Sequence, residues 1–228
     1  MSTRGEFRVT AVQGTPAYFD RGATLDIVVD HVQGAGIAGA DLVVFPESFV
    51  PGYPDWVWRR KPWSDDEWYA RFQDQAIEIP GPALDKVCAA AEAAGVWVAL
   101  GITERSSSGT LYNAVVYIDS SGRIAGLHRK LVTTGAERLV WGNGQGPMLT
   151  VVDIGGVRVG SLICWENYMP LARAPLPEGD RRTAGPNMGQ QRRMGADASP
   201  HCEGRPSVRR RRHCLSARLR RAPRPPWC

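Results

Sequence analysis

Three residues in this 228-residue chain make a reactive set when taken together: Glu47 in VVFPESFVPGYPDW, Lys130 in LHRKLVTTGAERLVWGNGQG and Cys164 in GSLICWENYMP. Each interrupts an apolar run with an abrupt polar or nucleophilic side chain. Singly, each has an ordinary reading as a solvated carboxylate, a solvated ammonium or a small packed thiol. Together they supply a nucleophile, a base and an electrostatic partner. A free thiol titrates near about 8.5, so little of it is thiolate at neutral pH. A nearby ammonium lowers that value, and a carboxylate within reach can take the proton as general base. The ammonium can also hold negative charge that grows on the atom under attack. No histidine is required, and of the four present only His128 lies beside one of these segments.

Such groups must be presented by rigid elements. FRVTAVQ (7–13) alternates like a strand, and 22–39 spaces Leu25, Ile27, Val28, Val32 and Ile37 at helical intervals. ADLVVFPES reads as a strand buried on both faces, and KVCAAAEAAGVWVALGITE as helix, Gly95, strand. TLYNAVVYID and RIAGLHRK flank Ser120-Ser121-Gly122 as a hairpin, and MLTVVDIGGVRVGSLICW adds two strands around Gly155-Gly156. The last of these is expected to end on Cys164, where a loop-facing strand end can aim a nucleophile. Cys88, among small residues of a helix, reads as core. The alternation of strands and helices, then hairpins, indicates layered sheet and helix.

After Ala174 this grammar stops. Residues 175–228 hold 13 Arg, no Lys and four acids (Glu178, Asp180, Asp197, Glu203), so they carry +9 while the rest carries −4, against +5 overall. Two kinds of sequence are joined. One reading is a basic, disordered tail suited to nucleic acid. The other is a frameshift near Ala174 or Pro175. In a frame shifted by one base, each Met-Gly pair (188–189 and 194–195) forces a Trp, and permitted codons spell APTWDNSDAWVPMLRRIAKDG, which has a strand, loop and helix pattern. The frameshift is the reading preferred, with 1–174 as the N-terminal portion of a domain and 175–228 as an out-of-frame arginine/proline-rich tail. Cys202, Cys214 and Cys228 fall in that tail and receive no role.

Five cysteines without repeated spacing make neither a disulfide framework nor a metal site. The N-terminus MSTRGEFRVTAVQ has no apolar signal core, and no run nears the ~18 apolar residues of a membrane span. The expectation is a soluble cytoplasmic protein.

The segments FPESFVPGYPDW, HRKL and CWENYMPLAR, in that order, resemble the three signature segments of the nitrilase superfamily of carbon–nitrogen hydrolases. GYPDW, HRKLVTT and CWENYMPLAR look like its true nitrilase branch, which includes cyanide-processing enzymes. The resemblance covers residues 7–174 and reaches into the shifted-frame APTWDN. It implies an α/β fold, an αββα sandwich, here incomplete because its C-terminal half is missing or out of frame. It implies further that Cys164 attacks a nitrile carbon, that Glu47 moves the proton, and that Lys130 and the Trp165 N–H hold the developing charge. Glu137 matches the family's second glutamate, either positioning Lys130 and water or serving as a structural ion pair. Tyr53 and Trp56 would line the substrate entrance, or simply pack. No cofactor or metal is implied; the partner is a small nitrile, with a homo-oligomer expected for an intact member and no membrane or nucleic acid. The alternatives are an amidase or cyanide hydratase relative, and a non-catalytic α/β scaffold with a nucleic-acid-binding tail.

Overall fold

The computed structural model describes residues 6–145 and 149–173, with the backbone of 181–183 and 214–220. Chain order is β1 (Glu6–Val12), α1 (Arg21–Ile37), β2 (Leu42–Val44), α2 (Asp66–Asp74), α3 (Asp85–Ala94), β3 (Trp97–Arg105), β4 (Leu111–Ile118), β5 (Ile124–Arg129), β6 (Val151–Ile154), β7 (Val157–Gly160), α4 (Pro170–Arg173), β8 (Arg181–Thr183) and β9 (Cys214–Arg220). Single 3₁₀ turns cover Asp55–Trp58, Pro82–Leu84, Gly135–Leu139 and Cys164–Tyr168.

The strands form two sheets, one ordered β5-β4-β3-β2-β1-β9 and one ordered β6-β7-β8. β1, β2 and β3 run parallel, and β3, β4 and β5 follow as antiparallel neighbours. The apolar strands alternate between two cores. Val43, Val98, Leu100, Ala114, Val116 and Ile118 face α1 and α3 together with Leu25, Val28, Val32, Val87 and Ala91. The intervening Leu42, Val44, Ala99, Val115 and Tyr117 face the second sheet, meeting Val152, Ile154, Val157, Val159 and Ile163. Period-two alternation thus buries both faces of one sheet, each aliphatic side chain contributing roughly 1.5–3 kcal/mol. Among the described residues the order of layers is helix, sheet, sheet, which is three of the four expected.

Local chemistry sets the boundaries. Asp20 caps α1 by accepting from the Ala23 N–H, and α3 stops where Gly95 adopts the left-handed conformation. The β4–β5 turn is tied by Asp119 Oδ1, which accepts from Ser121 N, Ser121 Oγ and Arg123 N.

Four findings differ from the sequence reading. Ile37 is 91 % exposed at the end of α1, so its helical spacing does not place it in the core. Helix α2, with Phe72 buried, stands in a stretch to which no element had been assigned. Strand β7 stops at Gly160, before the apolar run ends. Finally, β9 pairs antiparallel with β1 over seven residues and β8 pairs parallel with β7, within a segment where no regular element was expected. Those strands lie on the outer side of β1 and of β7, so neither edge is bare.

Candidate active site

Glu47 is delivered by the loop that follows β2. Phe45 N–H donates to Ala99 O and Val50 N–H to Gly101 O, which straps the loop across β3. The crossing is so close that a Cβ on Gly101 would overlap the Pro46 carbonyl oxygen and stand 2.9 Å from Ser48 N. Inside the loop Ser48 has φ 45°, and its hydroxyl donates to Gly52 O while meeting Thr103 Oγ1. The Glu47 carboxylate therefore emerges from a rigid corner.

Lys130 directly follows β5. Its backbone N–H donates to Asn113 O and its carbonyl accepts from Gly144 N–H; a Cβ on Gly144 would press to 2.6 Å from Arg129 O. The Lys130 side chain is fully buried, with Nζ 2.9 Å from Glu47 Oε1 and 2.7 Å from Glu137 Oε2. Asn113 Nδ2 donates to the same Glu47 oxygen at 2.7 Å. Glu137 opens its 3₁₀ turn through a capping box with Thr134, accepting from Thr134 N–H at 2.8 Å, and accepts from Tyr53 Oη at 2.7 Å. Trp58 Nε1 in turn donates to Tyr53 Oη at 3.2 Å.

Cys164 is not a strand-end residue. Three residues separate it from β7, and it opens a 3₁₀ turn with φ 57°, a left-handed conformation that is uncommon for a side chain bearing a Cβ. Its sulfur and one carboxylate oxygen each of Glu47 and Glu137 lie within 4.8 Å of one another. That group has the donor types of a cation site, but the Lys130 ammonium already bridges the two carboxylates and opposes a second cation.

Burial dominates the electrostatics. Desolvation raises the Glu47 carboxyl above its ordinary value, and the Lys130 charge only partly offsets it. Desolvation pulls Lys130 down, yet Glu47 and Glu137 outweigh it and hold the ammonium above the usual lysine value. The Cys164 thiol is raised by burial and then by Glu47, with Lys130 and the Trp165 N–H pulling the other way. The expected lowering of the thiol by an ammonium is therefore present but outweighed. The resting sulfur carries its proton, so a base must remove it. Glu47, itself raised, is suited to take and return one.

The structure thus brings Glu47, Lys130, Glu137 and Cys164 together, with the Trp165 N–H beside the sulfur. Tyr53 reaches the site through Glu137, its hydroxyl committed there. Trp56 is 3 % exposed and packs against Phe19, Trp68 and Phe72, so it belongs to an aromatic core, not an opening. Cys88 is half-buried against the helix–sheet core. Two site residues had escaped the sequence reading. Asn113 carried a signal, being the one amide in the buried run LYNAVVYI. Glu166, fully buried, carried almost none, because an acid beside a reactive cysteine reads as solvated.

A carbon–nitrogen hydrolase family model matches residues 8–180. Among curated proteins, the chain is 39 % identical over 177 residues to an aliphatic nitrilase of Sinorhizobium fredii (strain HH103), covering 75 % of this chain and 56 % of that protein. It is 36 % identical over 176 residues to a nitrilase of Bacillus sp. (strain OxB-1), covering 77 % and 51 %. A bifunctional nitrilase/nitrile hydratase of Nicotiana tabacum is 38 % identical over 175 residues, covering 74 % and 50 %. The chain spans about half the length of these relatives. Among solved structures, a double mutant of the amidase from Nesterenkonia sp. AN1 in complex with acrylamide superposes with a TM-score of 0.64 at 18 % identity, covering 82 % of this chain and 66 % of that one. At that identity the likeness is one of fold.

Proposed function

Because the chain belongs to the carbon–nitrogen hydrolase family, we propose that its site hydrolyses a small nitrile to the carboxylic acid and ammonia through a covalent cysteine intermediate. The observation that carries this reading is the convergence of Cys164, Glu47 and Glu137 within 4.8 Å around a buried Lys130 ammonium. Its curated relatives named as nitrilases support the nitrile as substrate class.

In the first step Glu47 takes the thiol proton as sulfur bonds to the nitrile carbon, and returns that proton to nitrogen, giving a thioimidate. Of the three N–H bonds on Lys130, Glu47 and Glu137 take two. The third is left for the negative charge growing on nitrogen, alongside the Trp165 N–H. One water adds to the thioimidate carbon, a proton moves to nitrogen, and the C–N bond breaks to release ammonia and leave a thioester. A second water cleaves the C–S bond, giving the acid and restoring the thiol. Glu137, with one oxygen on Lys130 and the other on Tyr53, holds the ammonium in place through both steps. The acidic form of the resting thiol explains why a base stands beside the nucleophile.

The decisive measurement is nitrile-dependent ammonia release by Cys164→Ala in the chain restored to the APTWDN-containing frame. Loss of at least about 1000-fold is expected with a thermal midpoint close to that of the parent. Cys164→Ser should be almost as poor, since a hydroxyl is far less acidic than a thiol. Substantial ammonia release from the alanine variant would remove Cys164 from the role of nucleophile.

A further inference from the structure

We propose that Glu166 is a positioning residue: a buried carboxylate that clamps the nucleophile turn to the lysine strand and so sets where Cys164 stands relative to Lys130 and Glu47. Its functional consequence rests on the hydrolase reading above, but the clamp itself is a matter of geometry. Glu166 is 0 % exposed, and its two oxygens take three donors. Oε2 accepts from the Ile163 N–H and from His128 Nε2 at 3.0 Å; Oε1 accepts from the Leu131 N–H at 2.5 Å. Ile163 immediately precedes the nucleophile and Leu131 immediately follows the lysine. One carboxylate therefore joins the backbones of both reactive segments.

The clamp also accounts for the backbone of Cys164. A left-handed non-glycine residue persists only where its surroundings over-determine it. The bond from Ile163 N–H to Glu166 closes the turn on itself, and Asn167 Nδ2 holds the carbonyls of Leu162 and Cys164 at 3.1 and 2.9 Å. Tyr117 Oη, from β4, donates to Ser161 Oγ at the start of the same loop. His128 is 2 % exposed on β5, and since a carboxylate only accepts, its Nε2 bears the hydrogen. Glu166 spends its oxygens on these three donors, so it acts through Cys164 and Lys130 instead of on the substrate.

The test reads the sulfur directly and needs no turnover. Cys164 is alkylated with iodoacetamide across a pH series in the 228-residue chain, and the adduct is followed by peptide mass spectrometry. The groups that face the sulfur are Glu47 after β2, Lys130 after β5, Glu137 in its turn, and the Trp165 N–H. With the clamp intact, burial and Glu47 place the titration midpoint above that of a free thiol. In Glu166→Gln, one acceptor oxygen becomes an amide that meets backbone N–H groups with its own. The turn should release, and the midpoint should fall toward about 8.5. An unchanged midpoint in a folded Glu166→Gln protein overturns the proposal. If that variant does not fold, His128→Phe and His128→Gln decide instead, since only the second keeps a donor for Glu166. The midpoint should fall in the first and be at least partly restored in the second; equal profiles overturn the clamp. In the nitrile assay the loss should fall on kcat, on the order of 100-fold, with KM little changed. A parent chain with an elevated thiol midpoint that drops in the variants, yet with no ammonia release from nitriles even when restored to the APTWDN-containing frame, supports the clamp and counts against the hydrolase reading alone.

Discussion

At the scale of single residues, the site turns on charges that are buried and matched. Lys130 is a compact ammonium with two carboxylates at hydrogen-bond distance, and a guanidinium is a wide planar fork. Lys130→Arg keeps the charge and should still lose about 100-fold or more in kcat, the scale of losing one transition-state donor. Near-parental turnover would demote Lys130 to an ion-pair partner. The raised Glu47 carboxyl gives a second prediction. In the proposed mechanism Glu47 must be ionised to take the thiol proton, so kcat/KM should rise with pH along an acid limb lying above the ordinary carboxylate value of about 4.3. Asn113 donates to the ionised carboxylate and so favours it. Removing that donor in Asn113→Ala should move the limb to higher pH; a limb that stays put, or moves down, would assign it to another group.

At the scale of elements, the reactive groups sit on the connections that follow strands, and close backbone approach holds those connections still. Gly101 is the clearest case, because the Glu47 loop crosses β3 where any Cβ would overlap Pro46 O. Gly101→Ala must push the loop away from β3. The expected cost is about 1–3 kcal/mol of stability, with an activity loss larger than the stability loss explains, because Glu47, the proposed general base, moves with the loop. Thermal unfolding and ammonia release measured together check this. A stable, fully active alanine variant would show that the loop is not fixed by its crossing. The loop after Lys130 is held in the same way, with Gly144 against the carbonyl of Arg129.

At the scale of the whole molecule, the described chain has one sheet covered on both faces and a second, smaller sheet covered on one. Residues 175–228 differ from the rest in composition and charge. We propose that they are an out-of-frame reading of a segment that would add the remaining layer, and the strands β8 and β9 do not by themselves supply that layer. The experiment compares the 228-residue chain with a version restored to the APTWDN-containing frame, scoring soluble yield and ammonia release from nitriles. The restored form should exceed the 228-residue chain on both measures. Equal solubility and activity would make the arginine-rich segment a genuine part of the protein.

What residue order alone determined was everything set by local pattern. Apolar alternation marked β1, apolar runs marked β2, β3 and β4, glycine and serine turns marked the hairpins, and the segments around Glu47, Lys130 and Cys164 marked residues that the fold gathers. Ile37 shows where that logic ends, since helical spacing says which residues share a face but not whether the face meets anything. Only the tertiary structure decided that Trp56 is core, that Tyr53 is spent on Glu137, and that the thiol is raised by burial more than Lys130 lowers it. Desolvation depends on what packs around a group from distant parts of the chain, and no sequence interval encodes it. Glu166 belongs to the same class: one partner lies three residues before it and the other two more than thirty before it, and folding alone brings them to a single carboxylate.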